Sequence, residues 1–265
     1  MKLRTSCKLR FDIEVATPFV LMLRPRSGAQ QQIVHDELII TPDIPVHEFT
    51  DTFGNLCQRL VAPPGHLSIH TEAISQTPDT MDQEPGAPFV EVQNLPDEVL
   101  QYLLPSRYCE IEDFGQQAMD ITAAQAPGYD QVAAIANWIR TNIHYDYNNS
   151  ESTVSAREVR SRQSGVCRDL AHLGIALCRS LAIPARIVVG YLHELEPMDM
   201  HAWFEAFVAD RWYTFDATQP RLKNGYVVLG IGRDAADVAI YNQFGPPIFP
   251  VSQEVRVEYI GETAI

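Results

Sequence analysis

SGVCRDLAHLGIALC, residues 164–178, places a cysteine directly after a Ser-Gly turn signal and at the head of an apolar-periodic run. The run continues through Leu170, Ala171, Gly174, Leu177, Cys178 and Leu181 and meets Ile183-Pro184, where a helix must stop. The pattern predicts a helix whose first turn carries Cys167. A thiol there faces unpaired backbone N–H groups and the positive end of the helix dipole, both of which favour thiolate. Cysteine is also among the most commonly buried residue types, so position alone does not make Cys167 a nucleophile. A base is required. Cys178, on the later turns of the same helix, reads as core.

His172 lies five residues along that helix, roughly 140–150° around it from Cys167, so it reads as structural. His201 opens HAWFEAFVADRWYTFDAT (201–218), which reads as a hairpin. With Ala209-Asp210 as a two-residue turn, Val208 faces Arg211, His201 faces Thr218, and Asp216 lies on the diagonal from His201. One face then carries Ala202, Phe204, Ala206, Val208, Tyr213, Phe215 and Ala217. The other carries His201, Trp203, Glu205, Phe207, Trp212, Thr214 and Asp216. A one-residue slip would mix the two sets, so the register is well specified. It brings Asp216 within about 7–8 Å of His201, Cβ to Cβ.

Cys167, His201 and Asp216 thus supply a nucleophile, a base and a group that orients the base, as thiol acyl transfer requires. The Cys167 backbone N–H at the helix start is one donor for the oxyanion. The second donor is not identifiable. Trp138, Tyr145 and Tyr147 lie upstream, and Tyr145, Tyr147, Arg168 and Trp203 are candidate neighbours of the cleft or the oxyanion. A metal held by Cys167 with His172 or His201 lacks third and fourth ligands at suitable spacing, and no cofactor is expected.

The 265 residues are 46% hydrophobic and 20% charged, close to a folded average, with no apolar run long enough for a membrane span. A formal charge of -14 argues against nucleic-acid or anionic-membrane partners, since phosphate binding needs clustered Lys and Arg. Five scattered cysteines without C-x-x-C spacing read as reduced thiols, and the alternating start MKLRTSCKLRFDIEV reads as a strand rather than a signal peptide. A cytoplasmic protein is expected. Strand signals at 9–15, 32–40, 56–61 and 66–74, with a turn at DTFGN (51–55), predict a small antiparallel sandwich over 1–80. Pro78, Pro85 and Pro88 mark a linker over 78–95, inside a core domain that runs from 81 to 265. Beyond the linker the period turns helical, with Val132, Ile135, Ala136, Ile139 and Ile143 on one face and Asp130 as N-cap candidate. The acidic HELEPMDM (193–200) reads as a solvated loop, His193 as a weak alternative base, and Arg233, Asp234 and Asp237 as a loop salt bridge.

The stretches SGVCRDLAHLGIALCRSLAIPARIVVGYL, MHAWFEAFVADRWYTFDAT and IGRDAADVAIYNQFG resemble the transglutaminase-like superfamily, in particular bacterial members described as cysteine proteases. FVLMLRPR, DTFGN and HLSIHTEAI resemble the β-sandwich region that precedes the core in those proteins. The resemblance implies an α+β chain: an antiparallel sandwich, then a papain-like core with a triad carried here by Cys167, His201 and Asp216. It implies cofactor-free amide chemistry on a peptide or protein substrate. The outcome stays open among peptidase or amidase, crosslinking transglutaminase or deamidase, and a catalytically idle scaffold. The oligomeric state is not legible, and the sandwich is expected either to roof the cleft or to bind a partner.

Overall fold

The structure, a computed structural model, describes residues 1–28, 30–147 and 152–261. Six strands come first: β1 (Lys2–Ile13), β2 (Thr17–Leu21), β3 (Gln32–Thr41), β4 (His47–Thr50), β5 (Leu56–Ala62) and β6 (Gly65–Gln76). Five helices and four strands follow: α1 (Asp97–Leu100), α2 (Gly115–Thr122), α3 (Tyr129–Asn142), β7 (His144–Tyr145), α4 (Ala156–Arg162), β8 (Ser164–Gly165), α5 (Cys167–Ser180), β9 (Ala185–Leu192) and β10 (His201–Val208). The chain closes with β11 (Arg211–Phe215), β12 (Tyr226–Gly232), β13 (Tyr241–Gln243) and β14 (Ser252–Tyr259).

Alternation along β1 buries Leu3, Cys7, Leu9, Phe11 and Ile13 on one face, against Phe19, Leu21, Leu60, Leu67 and Ile69 from the other strands. The result is a sandwich of two four-stranded sheets, ordered β14-β1-β6-β3 and β13-β2-β5-β4. Here the structure departs from a division at residue 80. β14 pairs along β1 from Leu3–Tyr259 to Arg10–Ser252, and β13 pairs with β2. β1 and β2 each need a partner on their open side, and the C-terminal segment supplies it. The stretch 78–95 is likewise docked: the Ala209 N–H donates to Pro88 O, and Arg211 bonds Glu84 on β11's side.

The core sheet is ordered β11-β10-β9-β12, and α5 packs across it. Leu170, Leu173, Ile175, Leu177 and Cys178 are buried there with Ala202, Phe204, Ala206 and Val208. Burial of each such large aliphatic side chain contributes about 1.5–3 kcal/mol. Gly174 is required, because a Cβ there would sit 2.6 Å from the Phe204 ring. α3 is capped by Gly128 rather than Asp130. At φ 113° Gly128 presses on the 87–89 backbone, where a Cβ would meet Ala87 O at 2.3 Å. Asp130 instead accepts from the Gly86 N–H at 3.0 Å.

The hairpin register is Val208–Arg211 through Phe204–Phe215, with Ala209 (φ 47°) and Asp210 (φ 65°) in the left-handed region that a type I′ turn needs. The His201–Thr218 pairing does not form. β11 ends at Phe215, and His201 pairs only with Gly190 on β9. The face that carries His201 is covered too: Phe207 packs with Leu95, Val99 and Trp212, and the buried Glu205 pairs with Arg186 at 2.6 Å.

Candidate active site

Cys167 is the first residue of α5, and the segment before it is held rigidly. Val166 takes the cap position, and its N–H donates to Asp169 Oδ2 at 3.2 Å. Asp169, 1% exposed, also accepts from Arg168 Nε at 3.0 Å. The short parallel ladder β7-β8 pairs Tyr145 with Gly165, two residues before the nucleophile candidate. A Cβ on Gly165 would lie 2.9 Å from Asp169 Cβ, so a glycine is what permits this close turn.

His201 reaches the thiol from the start of β10. Its Nε2 and Asp216 Oδ2 are 2.7 Å apart, which leaves Nδ1 for Cys167. Asp216 has left the strand and closes a small turn. Its Oδ1 accepts from the Thr218 N–H (2.9 Å) and Thr218 Oγ1 (2.7 Å), and its Oδ2 also accepts from the Tyr226 hydroxyl at 2.9 Å. Tyr226 opens β12 opposite Leu192, and β12 lies tight against Gly190, where a Cβ would sit 1.9 Å from Val227 O. Sequence pattern gives no signal for Tyr226. Thr218, expected opposite His201 in the hairpin, instead closes this turn, and Asp-x-Thr as a side-chain turn signature was the available signal for it.

The electrostatics follow from these bonds. Burial pushes the Cys167 thiol up, but hydrogen bonding and charge from His201, the Ala202 N–H and the Tyr145 hydroxyl together hold it below its ordinary value. Burial pushes His201 down, and the Asp216 charge and hydrogen bond, with Cys167, outweigh it, so the ring is pushed up to about 10. Burial pushes Asp216 up, and His201 and Thr218 bring it below the usual carboxylate range. Thiol, imidazole and carboxylate thus lie in one hydrogen-bonded line, with the thiol shifted toward its charged form and the ring likewise. Cys167 is also the half-exposed cysteine, whereas Cys7, Cys57, Cys109 and Cys178 are buried and shifted up.

Of the remaining candidates, Tyr145, Tyr147 and Arg168 line the same cleft as Cys167 and His201. Trp203 does not. It is 1% exposed and packs behind His201 with Val188, Leu192 and Tyr226, stacked 5.9 Å from the imidazole. Its side chain follows the His201 face of β10 inward, away from the strand's end. Trp138 packs against the core, and Cys178 is fully buried there. His172 is structural, as its direction on the helix implies: Nδ1 bonds Val154 O at 3.0 Å and Nε2 accepts from the Ala235 N–H at 3.2 Å. Both ring nitrogens are therefore unavailable to a metal, and no group of three or more potential ligands occurs among the described residues. Arg233 pairs with Asp237 at 2.9 Å, while the buried Asp234 accepts from the Tyr108 and Ala236 N–H groups. The loop 193–200 walls the cleft with Glu196, Pro197, Asp199 and Met200. A further part of the lining, missed in the sequence, is Ile240–Gln243 and 248–250, so the C-terminal edge of the sandwich borders the cleft. No helix among the described residues is long and apolar enough to cross a membrane.

The core family model described as the transglutaminase-like superfamily matches residues 115–217, which contain all three site residues, and the bacterial transglutaminase-like N-terminal region matches 3–76. A crystal structure described as a "Putative Cysteine Protease" from Cytophaga hutchinsonii superimposes with a TM-score of 0.92 at 33% identity, covering 100% of this chain and 92% of that one. The chain belongs to the transglutaminase-like superfamily. Uncharacterized proteins of Mycobacterium leprae (27% identical over 233 residues, 82% of each chain) and Mycobacterium tuberculosis H37Rv (26% over 269 residues, 88% of this chain and 84% of that one) are similar along most of their length. The transglutaminase-like core here is papain-like, with a cysteine-bearing helix packed on an antiparallel sheet.

Proposed function

We propose that the protein is a thiol-dependent amide hydrolase, a peptidase or amidase acting on a peptide or protein through Cys167, His201 and Asp216. The observation that carries this reading is the half-exposed, lowered Cys167 thiol beside an imidazole raised by a buried carboxylate. The Cys167 thiolate adds to the amide carbonyl carbon, and the oxyanion forms at the Cys167 N–H. As the C–N bond breaks, His201 Nδ1–H gives its proton to the departing amine, leaving a thioester. Water then loses a proton to His201 as its oxygen adds to the thioester carbon, and C–S cleavage returns the thiolate. The net reaction is amide plus water to acid plus amine. Asp216 holds the ring orientation and the imidazolium charge throughout.

Tyr145 supplies the second donor in this scheme. Its hydroxyl meets both the Cys167 thiol and the Cys167 N–H, the place where an oxyanion develops. A substrate carbonyl oxygen entering there displaces the hydroxyl from the N–H and keeps it as a neighbouring donor. Five unpaired cysteines support a reducing, cytoplasmic setting, and the charge of -14 supports a reaction without nucleic acid or an anionic membrane as partner.

The test is incubation of a denatured-protein digest with wild type and Cys167→Ser, with new termini and deamidated side chains read by mass spectrometry in water and in excess primary amine. Wild-type-dependent hydrolysis products that persist in amine support the reading. Amine-capped products alone transfer it to the crosslinking alternative, and identical digests from both proteins overturn it.

A further inference from the structure

The cleft around Cys167 has a volume of about 1440 Å³, far more than a single side chain fills, so its walls select what binds beside the reacting carbonyl. Its charged groups are largely engaged within the protein. Arg168 bonds Asp169 and Ser152 O, Arg140 bonds Asn137 and Gln219 O, Arg107 lies against the Tyr108 ring, and Asp199 accepts from Gln253. Two of its aromatic side chains are not. Tyr147 is 59% exposed and Phe249 68% exposed, although both line the cleft.

Tyr147 is fixed near the chemistry. Its ring centroid is 4.6 Å from that of Tyr145, whose hydroxyl touches Cys167, and its own hydroxyl reaches Glu196 O at 3.5 Å on the 193–200 loop. The Asp199–Gln253 bond at 2.6 Å ties that loop to β14, just past Phe249 and Pro250. Tyr147, Leu195, Met200, Ile248, Phe249 and Pro250 thus give the cleft that holds Cys167 an apolar rim. Exposed aromatic surface at such a rim is satisfied when a partner's apolar surface covers it.

We infer that this rim is a specificity subsite that takes a large apolar, preferably aromatic, side chain adjoining the amide that Cys167 attacks. The inference rests on the thiol reading above, and its test separates the two. Cys167 modification is followed by peptide mass spectrometry with three reagents: iodoacetamide, N-benzyl iodoacetamide and iodoacetate, each rate divided by that of glutathione with the same reagent. Wild type gains about tenfold with the benzyl reagent over iodoacetamide, the scale of one well-packed aromatic contact plus its buried area. Phe249→Ala removes most of that gain and Phe249→Leu restores part of it, while Cys167 in both still outpaces glutathione with iodoacetamide, which also shows that the variants are folded. Equal normalised rates for the two neutral reagents, a preference for iodoacetate, or a gain that survives Phe249→Ala overturns the subsite while leaving the thiol reading intact. A Cys167 no faster than an ordinary thiol with every reagent overturns the thiol reading itself, and the subsite with it.

Discussion

His172 and His201 are both buried, at 0% and 2% exposed, yet their protons are held in opposite ways. Burial dominates at His172, where its partners are a carbonyl and a backbone N–H, and its pKa falls. At His201 a buried carboxylate overrides burial, and its pKa rises. The two ends of α5 repeat the contrast with sulfur: Cys167 at its N-terminus is lowered, and Cys178 near its C-terminus is raised by desolvation. Burial sets neither outcome alone. What decides is whether an opposite charge also hydrogen-bonds the group: buried Asp169 and Asp234 near His172, and Arg179 beside Cys178, act only at a distance and do not outweigh burial, whereas Asp216 bonds His201 directly.

The largest effect should come from breaking the charge at His201. Asp216→Asn keeps the size and the Thr218 turn but removes the negative charge, so hydrolysis should fall by about 10⁴-fold, as expected for a lost orienting carboxylate. His201 should then titrate nearer to His172, and NMR of the imidazole protons reads this directly. A variant within tenfold of wild type would mean that Asp216 is only a structural acceptor.

A smaller loss is expected at Tyr145. Tyr145→Phe removes one oxyanion donor and should lower kcat by about 10²–10³-fold, with little change in KM. A rise in activity would instead mark the hydroxyl as a plug over the Cys167 N–H. Steady-state kinetics on the best peptide from the digest distinguishes them.

His172→Phe should act on stability rather than on chemistry. It strands the Ala235 N–H and Val154 O in the interior, costing about 1–3 kcal/mol for each unmet group, while activity at low temperature is retained. The pH dependence has opposite signs at the two histidines. The depressed His172 contributes stability that is present above its unfolded value of about 6.5 and lost as pH falls. The raised His201 contributes stability that is full below about 6.5 and is lost as pH rises through about 10. Urea titrations of wild type and His172→Phe at pH 5 and 7.5 check the first: the variant's deficit should shrink at the lower pH.

The three residues of the proposed triad could be picked out because each sits where a local rule is strong. Pro184 and the apolar period fixed the helix carrying Cys167, and the Ala209-Asp210 turn fixed the side of β10 on which His201 stands. The route by which Asp216 reaches His201 was legible only in outline, since it depends on where β11 breaks off. Tyr226 and the 240–253 wall were not legible, because both depend on pairings between distant segments that no local period encodes. The same reason hid β13 and β14: a strand's sheet is chosen by the edge it completes, and that edge lies more than 200 residues away along the chain. Trp203 was misplaced because alternation gives the face of a strand but not the depth at which a cleft ends.

The most direct test of the account is the pH dependence of Cys167 alkylation by iodoacetamide in wild type and His201→Ala. Wild-type Cys167 should react at half its maximal rate below the ordinary thiol value of about 8.5, and His201→Ala should move this midpoint up past it, since the largest contribution opposing burial is then gone and only the Ala202 N–H and the Tyr145 hydroxyl remain against it. A midpoint near 8.5 that does not move when His201 is removed would contradict the ion pair, and with it the claim that this cleft does thiol chemistry.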